Sequence, residues 1–332
     1  MKEKIVVLFA ANMIDRSIVK FLETEFEVSV IDMNPERLKK VSEDDVNLLK
    51  TVDLMIFTGG EDVDPERYYE SRGKNTYVNK KRDQDEFLYL YPESTKTYFM
   101  SSIPKLGICR GAQLLTVYNG GKLIQHVEGH KNNEQVIETT SGTTYTISSD
   151  HHQMMNPFEL KKNSYELIAW SKYFQSNQYL NGKNENIKLP KNFLESEIIY
   201  YNNSNSLCIQ PHPEWCIGSK GSEYCLKLIN KYLLKKSIAN KKTNEEFVDY
   251  SVPLGMNSIP HGWMRSGVDG NSYIFNGESF ILASSYNYVN EIGIKTTSKN
   301  ATKPIQDSLV DDYFSFLSNT EEQVEPSNND GW

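Results

Sequence analysis

The chain has 332 residues, of which 38% are hydrophobic, and carries a net charge of −8. That length can bury a full core, as one large domain or two modest ones. The acidic balance argues against a general nucleic-acid binder, and no apolar run is long enough to span a bilayer. The opening Met1-Lys2-Glu3-Lys4, followed by an apolar run over 5–11, is short and lacks the cleavage pattern of a signal peptide. Four cysteines, Cys109, Cys208, Cys216 and Cys225, form no C-x-x-C pair and suit neither a disulfide framework nor a structural zinc. They point to a soluble protein of a reducing, cytoplasmic compartment.

Strands and helices alternate through the first half. Residues 5–11 read as a strand, 15–26 as a helix on the spacing of Ile18, Val19, Leu22 and Phe26, and 28–32 as a second strand. Asn34 before Pro35 caps a short helix over 34–41, and 53–57 form a third strand ending in the turn Thr58-Gly59-Gly60. A strand over 106–108 feeds a helix over 110–118, stopped by Asn119-Gly120-Gly121. This β-α-β order implies a parallel sheet with helices on both faces, whose ligands bind beyond the strands' C-terminal ends.

The middle of the chain is β-rich. Residues 135–140 and 143–147 flank Ser141-Gly142 as a hairpin, and β-like runs follow at 166–170, 197–201 and 207–210. A helix over 221–234 closes this part. Beyond about residue 238 the composition drifts toward Asn, Ser and Gly. There 273–282 carries Asn276-Gly277, the signal of a type I′ hairpin, and 305–317 could form one amphipathic helix. Residues 319–332 read as a polar, disordered end. The expected organisation is a catalytic domain over 1–238 and a C-terminal extension over 239–332.

The chemistry concentrates in Gly107-Ile108-Cys109-Arg110-Gly111. A cysteine between glycines at a strand-to-helix junction needs those small neighbours, because side chains there would strike the adjoining backbone. At a helix N-terminus the thiolate is favoured over the thiol. Cys208, Cys216 and Cys225 lack this context and read as packing residues. The second element, Gln210-Pro211-His212-Pro213-Glu214-Trp215, puts an imidazole and a carboxylate at the tip of another strand. His212 can carry the proton between thiol and leaving group, and Glu214 can hold its tautomer.

In these segments the chain resembles the class I glutamine amidotransferase-like proteins, closest to the γ-glutamyl hydrolase and γ-glutamyl-GABA hydrolase branch. The resemblance rests on Phe57 through Pro65, Tyr68 or Tyr69, Arg82-Asp83 with Glu86, and Leu106 through Gln113. It continues through Gly120-Gly121, Gln125-His126, Ser149 through Gln153 and Gln210 through Trp215, covering roughly residues 3–235. It implies a flavodoxin-like α/β sandwich, mostly parallel, in which Cys109, His212 and Glu214 hydrolyse a γ-glutamyl amide through a thioester. It further implies an oxyanion site from the backbone N–H groups of Gly60 and Arg110. Gly59, Gln113, His151, His152 and Gln153 would lie on the substrate side. Pro211 departs from the aromatic residue frequent in relatives, and the extension beyond 238 has no counterpart in the simple hydrolases.

No cofactor is implied. The adjacent His151 and His152 have no third ligand at a useful spacing, so no metal is expected, and His126 and His130 read as structural. Three readings remain open at this point. The first is a glutaminase passing ammonia to a synthetase or ligase partner. The second is a stand-alone hydrolase of γ-glutamyl amines or peptides, and the third a silent binding module.

Overall fold

The first apolar run folds as β1 (Glu3–Phe9) and leads through α1 (Arg16–Glu23) to β2 (Phe26–Ile31). The Asp15 side chain caps α1 by accepting from the backbone N–H of Ser17 at 2.8 Å. Two helices follow, α2 (Pro35–Lys39) and α3 (Glu43–Leu49), and then β3 (Leu54–Phe57). α3 has no counterpart in the sequence reading. It starts at a capping box in which Ser42 and Asp45 each receive the other's backbone N–H. After α4 (Lys80–Leu90) come β4 (Lys105–Ile108) and α5 (Arg110–Tyr118), within a residue of their expected limits.

The second half is strand-rich: β5 (Lys122–Ile124), β6 (His126–Val127), β7 (Asn133–Thr139), β8 (Thr144–Ser149) and β9 (Met154–Asn156). It goes on with β10 (Tyr165–Ser171), β11 (Tyr179–Leu180), β12 (Ser196–Tyr201), β13 (Ser206–Ile209) and α6 (Lys220–Leu228). The helix expected over 221–234 changes pitch, its last part, Ile229–Leu234, being π-helical. The structure is a computed structural model and describes residues 2–92, 95–131 and 133–234, with three short strands, β14 (Met264–Ser266), β15 (Ser272–Phe275) and β16 (Phe280–Leu282). All belong to one unit, Met1–Ser284. The expected helix over 305–317 and the polar end over 319–332 lie outside the described residues.

Nine strands form one sheet in the order β2-β1-β3-β4-β13-β12-β10-β7-β8. Pairings from β2 through β13 are parallel, and those from β13 through β8 are antiparallel. The α/β class read from the sequence is the observed one, with an antiparallel wing added to the parallel half. Side chains alternate across this sheet into two cores. Ile5, Val7 and Phe9 join α1 and α6 on one face, and Leu8, Met55 and Phe57 join α4 and α5 on the other. Both faces being covered explains the complete burial of β3 and β13.

The hairpin signal over 273–282 is realised as β15 and β16, but Phe275 pairs with Phe280. That register leaves four residues between the strands, whereas the type I′ turn expected at Asn276-Gly277 would leave two.

Candidate active site

Three adjacent parallel strands, β3, β4 and β13, end side by side. Phe57 pairs with Gly107, Ile108 pairs with Ile209, and the Cys109 N–H donates to the Ile209 carbonyl at 2.9 Å. The segments leaving these ends therefore meet: Thr58-Gly59-Gly60, Cys109, and Gln210 through Glu214.

Cys109 stands immediately before α5 with φ 52° and ψ −111°. A positive φ at a non-glycine residue is strained and persists only where the surroundings enforce it. Here the flanking glycines allow the enforcement. A Cβ on Gly107 would come within 2.5 Å of the Gly111 carbonyl oxygen, and one on Gly111 would overlap the Phe57 carbonyl. The thiol reaches toward the Asp150 carbonyl at 3.8 Å and is 7% exposed, enough for a small electrophile to reach it.

His212 is fixed through its backbone, whose N–H donates to the Ser148 carbonyl at 2.8 Å. Its Nδ1 lies 2.6 Å from Glu214 Oε1, leaving the opposite ring nitrogen for Cys109. Burial opposes charge on the imidazole. The hydrogen bonds and charges of Cys109 and Glu214 outweigh that and raise its pKa to about 10. The Trp215 indole stacks on the outer face of the imidazole, with centroids 3.7 Å apart and planes within 3°. Gly59 makes room for this pair, since a Cβ there would sit 3.3 Å from His212 Cε1 and 3.7 Å from Cys109 Cβ.

Cys109 opens into a cavity of about 300 Å³ lined by Gly60, Arg110, Gln113, Asp150 and the segment His151-His152-Gln153, with Tyr77, Glu61 and Asp62 completing it. Of the residues singled out from the sequence, Gly60, Cys109, Arg110, Gln113, His151, His152 and Gln153 line this space, whereas Gly59, His212 and Glu214 do not. Gln113 is buried on α5. Its amide donates to the Gln153 carbonyl at 3.0 Å, tying α5 to the opposite wall. His152 meets Asp62 at 3.0 Å, and His151 Nδ1 meets the Gln153 carbonyl at 2.9 Å.

A charged network that the sequence reading quoted without a role lies under this site. The Arg82 guanidinium donates through Nη2 to the carbonyls of Thr58 at 3.1 Å and Gly59 at 2.9 Å, and pairs with Glu61 and Glu86. Arg110 pairs with Asp83 and Glu86 and donates to the Glu61 carbonyl at 3.0 Å. Burial, with the charge of Arg82 beside it, lowers the Arg110 pKa to about 10. Gly60 has φ 139°, and a Cβ there would overlap Arg82. The sequence signal for this network was the i, i+4 spacing of Arg82 and Glu86 on α4. Trp215 was visible only as the end of a motif.

Residues 14–169 match the Peptidase C26 family model. That stretch contains Cys109 but ends before His212 and Glu214, which geometry alone joins to it. Among curated relatives, the glutamine amidotransferase-like protein YvdE of Lactococcus lactis is 35% identical over 106 residues, covering 32% of this chain and 42% of the relative. The glutamine amidotransferase-like protein RP404 of Rickettsia prowazekii is 38% identical over 82 residues, 24% of this chain and 27% of the relative. Over these stretches the chain is similar to the Peptidase C26 family and to glutamine amidotransferase-like proteins. The matches span less than half the length of these two relatives. A glutamine amidotransferase structure from Thermotoga maritima aligns with 73% of this chain and 93% of its own, at 13% identity and a TM-score of 0.36. No helix among the described residues is long and apolar enough to cross a membrane.

Proposed function

We propose that this chain hydrolyses a γ-glutamyl amide, with glutamine as substrate and ammonia as the product handed to a partner synthetase. The observation that carries the reading is the line Cys109–His212–Glu214, whose thiol opens into a small cavity. Its volume lies at the lower end of small-molecule sites, which suits a compact substrate better than a long peptide.

In the reaction, the Cys109 thiolate attacks the γ-carbonyl carbon while the carbonyl π pair moves to oxygen. The backbone N–H groups of Gly60 and Arg110 receive that oxyanion. Arg82 supports the first of them: it holds the Gly59 carbonyl, and a planar trans peptide then directs the Gly60 N–H the opposite way. Collapse of the tetrahedral adduct expels the amine, which takes its proton from the His212 imidazolium, and a thioester remains. His212 next removes a proton from water, which attacks the thioester. Glutamate leaves and the proton returns to the Cys109–His212 pair.

Treatment of the folded protein with a glutamine-like diazoketone should add one adduct, on Cys109, that is absent in Cys109→Ser. No adduct on the wild type would leave only a binding module. A turnover screen of glutamine against γ-glutamyl amines then decides the leaving group. Rapid cleavage of γ-glutamyl amines with glutamine untouched would replace the ammonia reading by that of a stand-alone hydrolase. A partner-dependent glutaminase should show low basal turnover that rises on complex formation.

A further inference from the structure

Behind the His151 wall of the cavity lies a second cluster that the proposed reaction does not use. His130 precedes β7, His151 follows β8 and Glu197 lies on β12, and all three side chains are almost entirely buried. One ligand atom from each converges, all within 4.8 Å of one another. We propose that His130, His151 and Glu197 form a binding site for a divalent transition metal of the zinc type.

Three observations carry the assignment. The first is that His130 Nε2, His151 Nε2 and Glu197 Oε2 are buried with no hydrogen-bond partner. Leaving such atoms buried and unpaired is costly, and in one cluster they call for a partner. The second is that the other polar atom of each group is held. His151 Nδ1 meets the Gln153 carbonyl at 2.9 Å, His130 Nδ1 meets Gln135 Oε1 at 3.2 Å, and Glu197 Oε1 accepts from Gln135 Nε2. Outer hydrogen bonds of this kind fix the tautomer and aim the free lone pair, as around metal-ligating histidines. The third is the donor set, two imidazoles and one carboxylate, which suits zinc and leaves a coordination position open. His151 Nε2 and Glu197 Oε2 are 3.7 Å apart, a separation that one ion can bridge with little movement.

The local field favours a cation. Two carboxylates stand beside His130, with Glu195 Oε2 3.5 Å from its Nε2 and Glu197 Oε1 3.5 Å from its Nδ1. Glu195 itself is already engaged by the N–H groups of Gln175 and Ser176 and by the Tyr179 hydroxyl, so it acts as a neighbouring charge and not as a fourth ligand. His151 also lines the Cys109 cavity, which gives an ion its way in. Once bound, the ion would fix the wall formed by His151 through Gln153.

The test uses the full-length chain in a Cys109→Ser background, stripped with a chelator and titrated with Co²⁺. The expected result is one equivalent bound with visible d–d bands of low coordination number, displaced by Zn²⁺. A rise in the melting midpoint should accompany binding, and His130→Asn should abolish both effects. Absence of the bands, or bands that survive His130→Asn, would overturn the assignment. If His130→Asn does not fold, X-ray absorption of the Zn²⁺-loaded wild type decides. Imidazole and oxygen scattering without sulfur supports the site, whereas a sulfur shell means that Cys109 or another thiol holds the metal.

Discussion

The reactive pair stands on opposing influences upon His212, and these set how the site should respond to pH. Its folded-state pKa of about 10 lies above the ordinary 6.5. The imidazolium therefore persists through neutral pH and is lost as pH rises through about 10. Glutamine turnover should fall along that alkaline limb. Replacing Glu214 by glutamine removes one of the two partners holding the value up, so the limb should move toward neutrality. Turnover should also drop by a factor on the order of 10²–10⁴. Profiles of kcat/KM against pH for both proteins measure this. An unmoved limb in Glu214→Gln would mean that the carboxylate does not act on the imidazole. Arg82 offers a second test of arrangement at this scale. Its guanidinium serves the Thr58 and Glu61 oxygens and the Gly59 carbonyl together, a fork that a lysine ammonium cannot reproduce. Arg82→Lys should lower kcat by up to about 10²–10³ through a misdirected Gly60 N–H while KM changes far less.

Among the elements, the junction of β4 with α5 was the most legible part of the chain, because its constraints are local. Small residues on both sides of Cys109, an apolar strand before it and a glycine stop after the helix all lie within one short stretch. α3 was as local, with Ser42 and Asp45 as its signal, but its three acidic residues in the first turn hid the apolar spacing. The register of β15 with β16 was not legible, since Asn-Gly marks a turn without fixing which residues pair across it. The strain at Cys109 gives this junction a stability signature. Glycine normally costs about 0.5–1 kcal/mol relative to alanine in a regular element, yet at φ 52° and ψ −111° that order should reverse. Cys109→Gly should thus unfold at higher urea than Cys109→Ala, with both inactive. Gly111→Ala, whose Cβ meets the Phe57 carbonyl, should lose about 1–3 kcal/mol or more in the same assay.

At the scale of the molecule, the parallel half supplies the proposed nucleophile, base and oxyanion turn, whereas the antiparallel wing supplies the facing wall. The first set could be read from the sequence because each member sits at a strand end announced by its own motif. The wing depends on pairings between distant segments, and the meeting of His130, His151 and Glu197 follows only from that register. The same long-range character belongs to the network joining α4, the turn after β3 and α5. Glu86 there receives both Arg82 and Arg110 in a fully buried setting. Glu86→Gln would leave two buried guanidinium groups short of a counter-charge, which should cost about 3–5 kcal/mol and show as a lower urea midpoint. Glu61 tests the exposed rim of this network by titration. A backbone hydrogen bond and then the Arg82 partner depress its pKa from 4.5 to about 2. Its contribution to stability is accordingly complete above pH 4.5 and is lost as pH falls through about 2. Glu61→Gln should flatten that part of the acid-unfolding curve. An unchanged acid limb would mean that the Arg82–Glu61 contact does not persist in solution, leaving Glu86 as the only carboxylate partner of Arg82 among the described residues.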